Sequence, residues 1–171
     1  MSGAMLRRAV AQILKGTRLD RRHDVPYLAG YSRDAGTIYI DKDLPRSFLT
    51  RGRRVGVDRY LILHEAVEKA LLDRLRLSYQ HAHQIALRAE QAAVRADGVS
   101  WRDYDAFMRR YIKEADDVLE KLPKDLDVKP YRDEKDVELL RRIQGTRARR
   151  GNAGRPEKAA AGARSWPKKR K

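Results

Sequence analysis

Between Asp58 and Leu77 apolar side chains recur at helical spacing, and the stripe they form is interrupted by titratable groups. Val57, Tyr60, Leu61, Val67, Leu71, Leu72 and Leu75 make the stripe. At about 100° per residue, Tyr60, Glu68, Leu71 and Leu75 all fall within about 40° of His64, and Glu65 lies at the border of that face, about 100° away. Lys69, Asp73, Arg74 and Arg76 fall mostly outside it. A second helix is expected from Ser78 to Ala96, stopped by Asp97-Gly98, and there Tyr79, Leu87, Glu90 and Val94 lie within about 40° of His83. The link around Leu77-Ser78 is short, so the two segments form a helical hairpin or a kinked pair with their apolar faces on one core. Each inward face then carries a His and a Glu. Such groups are costly inside a core unless paired, hydrogen-bonded or metal-bound.

The rest of the chain supplies a small frame for this pair. Ala4–Lys15 places Leu6, Val10, Ile13 and Leu14 at helical spacing before Gly16. Val25–Ser32 and Thr37–Asp41 are β-branched and aromatic runs joined by Arg33-Asp34-Ala35-Gly36, which predicts a β-hairpin over 25–41. Asp43–Ser47 and the basic stretch Arg51–Gly56 read as loop. Ser100, with Asp103 three residues on, caps a third helix whose stripe of Trp101, Tyr104, Phe107, Met108, Tyr111, Ile112 and Leu119 extends to about Leu122. Pro123–Pro130 reads as a linker and Asp133–Gln144 as a further short helix. The expected fold is α+β: a mainly helical single domain over 1–140 with a small N-terminal antiparallel hairpin.

Charge is unevenly distributed. From Arg141 onward 12 Lys or Arg residues face one acid, Glu157, whereas residues 1–140 carry 27 basic and 23 acidic side chains. The basic character of the chain therefore belongs to 141–171, a Gly-, Ala- and Arg-rich tail too poor in apolar residues to order itself. No apolar run is long enough to span a bilayer and the N-terminus lacks a signal-peptide pattern, so no membrane association and a cytoplasmic location are expected. The chain has no Cys, which excludes disulfide scaffolds, thiolate zinc sites and thiol catalysis.

Metal ligands must then be His, Asp or Glu. His64 and Glu68, at i and i+4, bring their tips to one side of a helix, and His83 can supply a third donor from the next. Two imidazoles and one carboxylate are the donor set of open catalytic zinc sites, which keep a fourth position for water. A hydrogen-bonded His–Glu pair in the core is the competing reading. Glu90 lies about 10 Å along the axis from His83, so it is read as a partner of an Arg or of His64 rather than as a ligand of the same ion. Tyr79, one turn before His83, is either a donor to a substrate oxygen or a core residue. Di-iron chemistry ranks lower, because it needs a Glu three residues before each His and position 80 is Gln80.

His64-Glu65-Ala66-Val67-Glu68 resembles a variant of the His-Glu-x-x-His helix of the zincins, the zinc metallopeptidase superfamily. By that resemblance, spanning about Pro26–Ala96, His64 is a ligand, Glu65 the catalytic base, and Glu68 a ligand in place of the usual second His. His83 stands where gluzincins place a Glu on the following helix. The departure from the family is that exchange of ligand types, together with the lack of a metzincin-like Gly/His extension. Gly36–Asp41 is similar to the edge strand above the active helix of small zincins, where a peptide adds as another strand. The implied protein is a minimal zincin-like hydrolase of peptide or protein substrates with Zn2+ as cofactor. The alternative is a non-enzymatic scaffold or nucleic-acid-associated protein that holds phosphates non-specifically through the C-terminal tail.

Overall fold

The computed structural model describes residues 3–113 and 121–129. The helix expected over 133–144 and the tail 141–171 lie outside them. The described chain is α+β and mainly helical, in the order α1 (Gly3–Gly16), β1 (Arg18–Asp20), β2 (Ala29–Tyr31), β3 (Thr37–Ile40), β4 (Ser47–Thr50), β5 (Arg53–Gly56), α2 (Asp58–Leu75), α3 (Tyr79–Ala96) and α4 (Trp101–Met108). Among the described residues no helix is long and apolar enough to cross a membrane.

Helix α2 is the centre of the fold. Tyr60 to Glu65 are buried without interruption, because α1, α3 and strands β2 and β3 all pack against it. A single apolar stripe describes this helix only in part. Ile62, Leu63 and Lys69, off the expected stripe, are buried, while Leu75 at its far end is 64% exposed. Arg76 ends the helix in the left-handed region (φ 54°) with its N–H on Leu71 O, and two further residues lead to α3.

Strands β2 and β3 form the expected hairpin, with Ala29 opposite Ile40 and Tyr31 opposite Ile38. Strand β3, however, is not an edge. β1 pairs parallel to it, Leu19 opposite Ile38, and the order is β1-β3-β2. Arg-Leu-Asp has one apolar residue and no alternation, so β1 leaves no local signal. The outer side of β2 is also occupied. Asp127 N donates to Tyr31 O (2.8 Å) and Arg33 N to Asp125 O (2.9 Å), and Leu126 packs against Val25 and Tyr39 at 1% exposure. The segment expected as a linker is therefore docked on the sheet.

The basic loop is in fact a second hairpin. Strands β4 and β5 pair antiparallel, with Phe48 opposite Val55 and both inside. Arg51 and Gly52 both have positive φ, 47° and 73°, the requirement of a two-residue type I′ turn. Arginine is not a usual signal for the first of these positions. Helix α4 has the predicted cap, Ser100 Oγ accepting from Asp103 N at 3.4 Å, but ends at Met108 rather than near Leu122. The following residues leave the helix to reach the segments before β2 and after β3. Lys113 O accepts from Tyr27 N (3.1 Å), and Lys113 Nζ lies 2.6, 2.9 and 2.7 Å from Asp24, Asp41 and Asp43.

Candidate metal centre

Helices α2 and α3 present their polar residues to one another. His64 and Glu68 share a face of α2, one turn apart, and His83 and Glu90 lie two turns apart on the facing side of α3. On the α3 side Glu90 meets His64 first. Glu90 Oε2 lies 2.8 Å from His64 Nδ1, and Tyr104 donates from its hydroxyl to Glu90 Oε1 at 2.6 Å. Glu90 thus sits between the α2 imidazole and α4. This fixes the ring so that His64 Nε2 points the other way, toward Glu68 and His83.

There three donor atoms meet. His64 Nε2 is 3.3 Å from His83 Nδ1 and 3.5 Å from Glu68 Oε2, and His83 Nδ1 is 2.8 Å from Glu68 Oε2. An ion bound tetrahedrally at zinc-like distances separates its ligand atoms by about 3.3–3.4 Å. A triangle with these three sides admits a point about 2 Å from every corner and out of their plane. The donor set therefore fits a small divalent cation with little movement, and keeps one side for a further ligand.

Only the contact between His83 Nδ1 and Glu68 Oε2, at 2.8 Å, is of ordinary hydrogen-bond length. The other two sides, 3.3 and 3.5 Å, are longer, and a cation received by all three lone pairs would take the place of the protons there. The neighbouring charges favour a cation, since Glu65, Glu68 and Glu90 are all buried in the same cluster.

Burial pulls the His64 pKa down, but the hydrogen bonds with Glu68 and Glu90 outweigh it and hold the group well above its ordinary range. Burial pushes the Glu68 carboxyl up, and the contacts with His64 and His83 reverse this to leave it at about 2. Glu65, buried beside them, is pushed up to about 8 by desolvation and by Glu68, with His64 opposing and Glu90 adding. A buried carboxyl titrating near neutrality is suited to taking and returning a proton.

Of the residues singled out in the sequence, His64, Glu68 and His83 come together within 4.8 Å. Glu90 holds His64, and Tyr79 is buried with its ring 5.5 Å from that of His83. His83 is the more open member, its side chain 26% exposed against 8% for His64 and 4% for Glu68. Two participants carried no signal. Tyr31 donates from its hydroxyl to Glu68 Oε1 at 3.2 Å, and Tyr104, expected only as a packing residue, anchors Glu90. Both are ordinary core aromatics by pattern, and only the fold turns their hydroxyls to the carboxylates.

Comparison of the chain with protein-family models, with curated proteins and with solved structures finds no match.

Proposed function

We propose that His64, Glu68 and His83 bind one divalent metal ion, zinc by the chemistry of the set, and that the protein is a metal-dependent hydrolase of the zincin-like kind acting on peptide or protein substrates. The observation that carries the reading is the triangle of two imidazole nitrogens and one carboxylate oxygen, spaced for one ion. Zinc in such a set supplies Lewis acidity and acidifies a water. The chain's own groups have separable tasks. Glu90, braced by Tyr104, keeps Nε2 of His64 facing the donor set, and Tyr31 orients the carboxylate of Glu68. Glu65, next in sequence to His64 and buried beside Glu68, is the base that takes the proton from the attacking water. The exposed side of His83 is where substrate reaches the centre.

Elemental analysis of protein purified without a His-tag tests the first half. About one zinc per chain is expected, lost in His64→Ala and His83→Ala. For the second half, Glu65→Gln is expected to keep the metal and lose hydrolysis of an unbiased peptide library. Chain without stoichiometric metal after zinc add-back rejects the proposal.

The charge of 141–171 favours a second, compatible reading, in which that segment binds nucleic acid through phosphate contacts. Affinity that falls steeply with salt and disappears on deleting 145–171 supports it; retention by the shortened chain rejects it.

A further inference from the structure

A separate feature of the molecule concerns the other edge of the sheet. Beside β1 lies a cleft of about 520 Å3, within the range of small-ligand sites. Its lining is Arg18, Leu19, Asp20, Arg21, Arg22 and Arg46. Arg18, Arg21 and Arg22 come from one short stretch and Arg46 joins them from just before β4, and their counter-charges are few.

Arg22 is neutralised locally, its Nε and terminal nitrogen both donating to Asp20, at 3.1 and 2.5 Å. Of the remaining three, Arg21 and Arg46 share one acid. Asp58 lies 3.7 Å from Arg21 and 3.8 Å from Arg46, too far for a hydrogen bond to either. Arg18 has no side-chain hydrogen bond or ion pair among the described residues. Arg21 is the unusual member. Its side chain is only 9% exposed, one terminal nitrogen donates to Leu44 O, and its Nε is buried without a hydrogen-bond partner among the described residues, as is Asp58 Oδ1. Burial depresses the Arg21 pKa and Asp58 opposes this, while Arg46 adds like-charge repulsion. Arg21 thus lends the cleft a fixed, half-compensated positive charge, and the exposed Arg18 and Arg46 supply the donors that an anion can reach.

We propose that this cleft binds a phosphate dianion, either free phosphate or the phosphate group of a small phosphorylated molecule. The charge selects the class. Three guanidiniums against Asp58 leave a surplus of two, which a carboxylate half meets and a phosphate monoester, at about −1.5 to −2 near pH 7, meets in full. The planar forks of Arg18 and Arg46 suit its oxygens geometrically. The exposed Arg46, at 75% side-chain exposure, and the exposed Arg18 are free to close on the ligand, while Arg21 provides a fixed floor.

The test is titration of the full chain with inorganic phosphate at low ionic strength, followed by calorimetry. Saturable binding is expected, weakened about tenfold or more in the Arg18→Gln/Arg46→Gln double variant, as loss of two charge-assisted contacts predicts. Both positions are exposed, so the variant keeps the wild-type melting temperature. Arg149→Gln/Arg150→Gln controls for the basic tail and is expected to leave the affinity within about twofold. A nucleoside 5′-monophosphate that binds more tightly than phosphate, with the same dependence on Arg18 and Arg46, identifies the small phosphorylated molecule; equal or weaker binding identifies free phosphate. Affinity unchanged in the double variant, or no saturation by phosphate or the monophosphate, overturns the proposal. So does binding confined to a single-stranded oligonucleotide, which carries diesters.

Discussion

Two clusters of charge in this molecule bring carboxylates and nitrogen groups together in different ways. Around Lys113, three aspartates from different parts of the β1–β3 region close on an ammonium that the chain itself supplies. One donor group faces several acceptors, every contact is complementary, and Asp41 also accepts from the backbone N–H groups of Val25 and Asp43. Around His64 two imidazole nitrogens and one carboxylate oxygen face one another, and only the contact of His83 with Glu68 is as short as an ordinary hydrogen bond. The first cluster contains its own cation and reads as a staple. The second has no such cation of its own and is the one proposed to receive a metal ion, and this distinction separates staple from candidate site.

Metal-dependent stability is the largest effect expected. If zinc binds the folded chain, saturating it to about 1,000 times its dissociation constant raises stability by about 4 kcal/mol. Melting temperatures with zinc and with a chelator read this directly, and His64→Ala abolishes the difference. Identical melting in both conditions makes the two clusters equivalent and breaks the comparison.

The staple is tested by Lys113→Met, which leaves the buried Asp41 carboxylate without its ammonium and Asp24 with Lys42 alone. A loss of about 2–3 kcal/mol is expected in urea unfolding, less than for a fully buried pair because Lys113 is partly exposed. The same loss with and without zinc shows that the clusters are independent. Glu90→Gln sharpens the other side. It keeps a hydrogen-bond acceptor for His64 and removes the charge, so zinc affinity drops by about 10- to 100-fold in a competition titration while the ligands remain. An unchanged affinity strips Glu90 of any part in the centre.

The smallest effect is in the acid range. Hydrogen bonds from Lys113 and Lys42 hold the Asp24 carboxyl at about 2, against an ordinary value of 3.8. Because the folded-state value lies below the unfolded one, Asp24 contributes stability above pH 3.8 that is lost as the pH falls toward 2. Unfolding measured across that window is expected to show a shallower acid limb for Asp24→Asn than for the wild type. Equal slopes in the two proteins remove Asp24 from the staple's acid response.

Much of this was legible in the sequence where the information is local. Leu6, Val10 and Ile13 announced α1, and the two stripes containing His64 with Glu68 and His83 with Glu90 announced the helices that carry the centre. Local pattern failed where a contact partner is distant. Leu19 pairs with Ile38 although β2 lies between them in sequence, Leu126 is buried against Val25 and Tyr39, and α4 stops at Met108 as Lys113 is drawn to three aspartates. Arg51-Gly52 hid a tight hairpin turn, since arginine enters the left-handed region without advertising it.

From the amino-acid order alone, then, came the helical pair and the face on which each titratable residue stands, since rotation per residue around a helix depends on nothing beyond the helix itself. Tertiary structure decided which nitrogen of His64 meets Glu90 and which meets His83, that Tyr31 and Tyr104 turn their hydroxyls inward, and that four arginines line one cleft. Those outcomes depend on how separated segments are brought within a few ångströms, which loop geometry and core packing set and no local periodicity encodes.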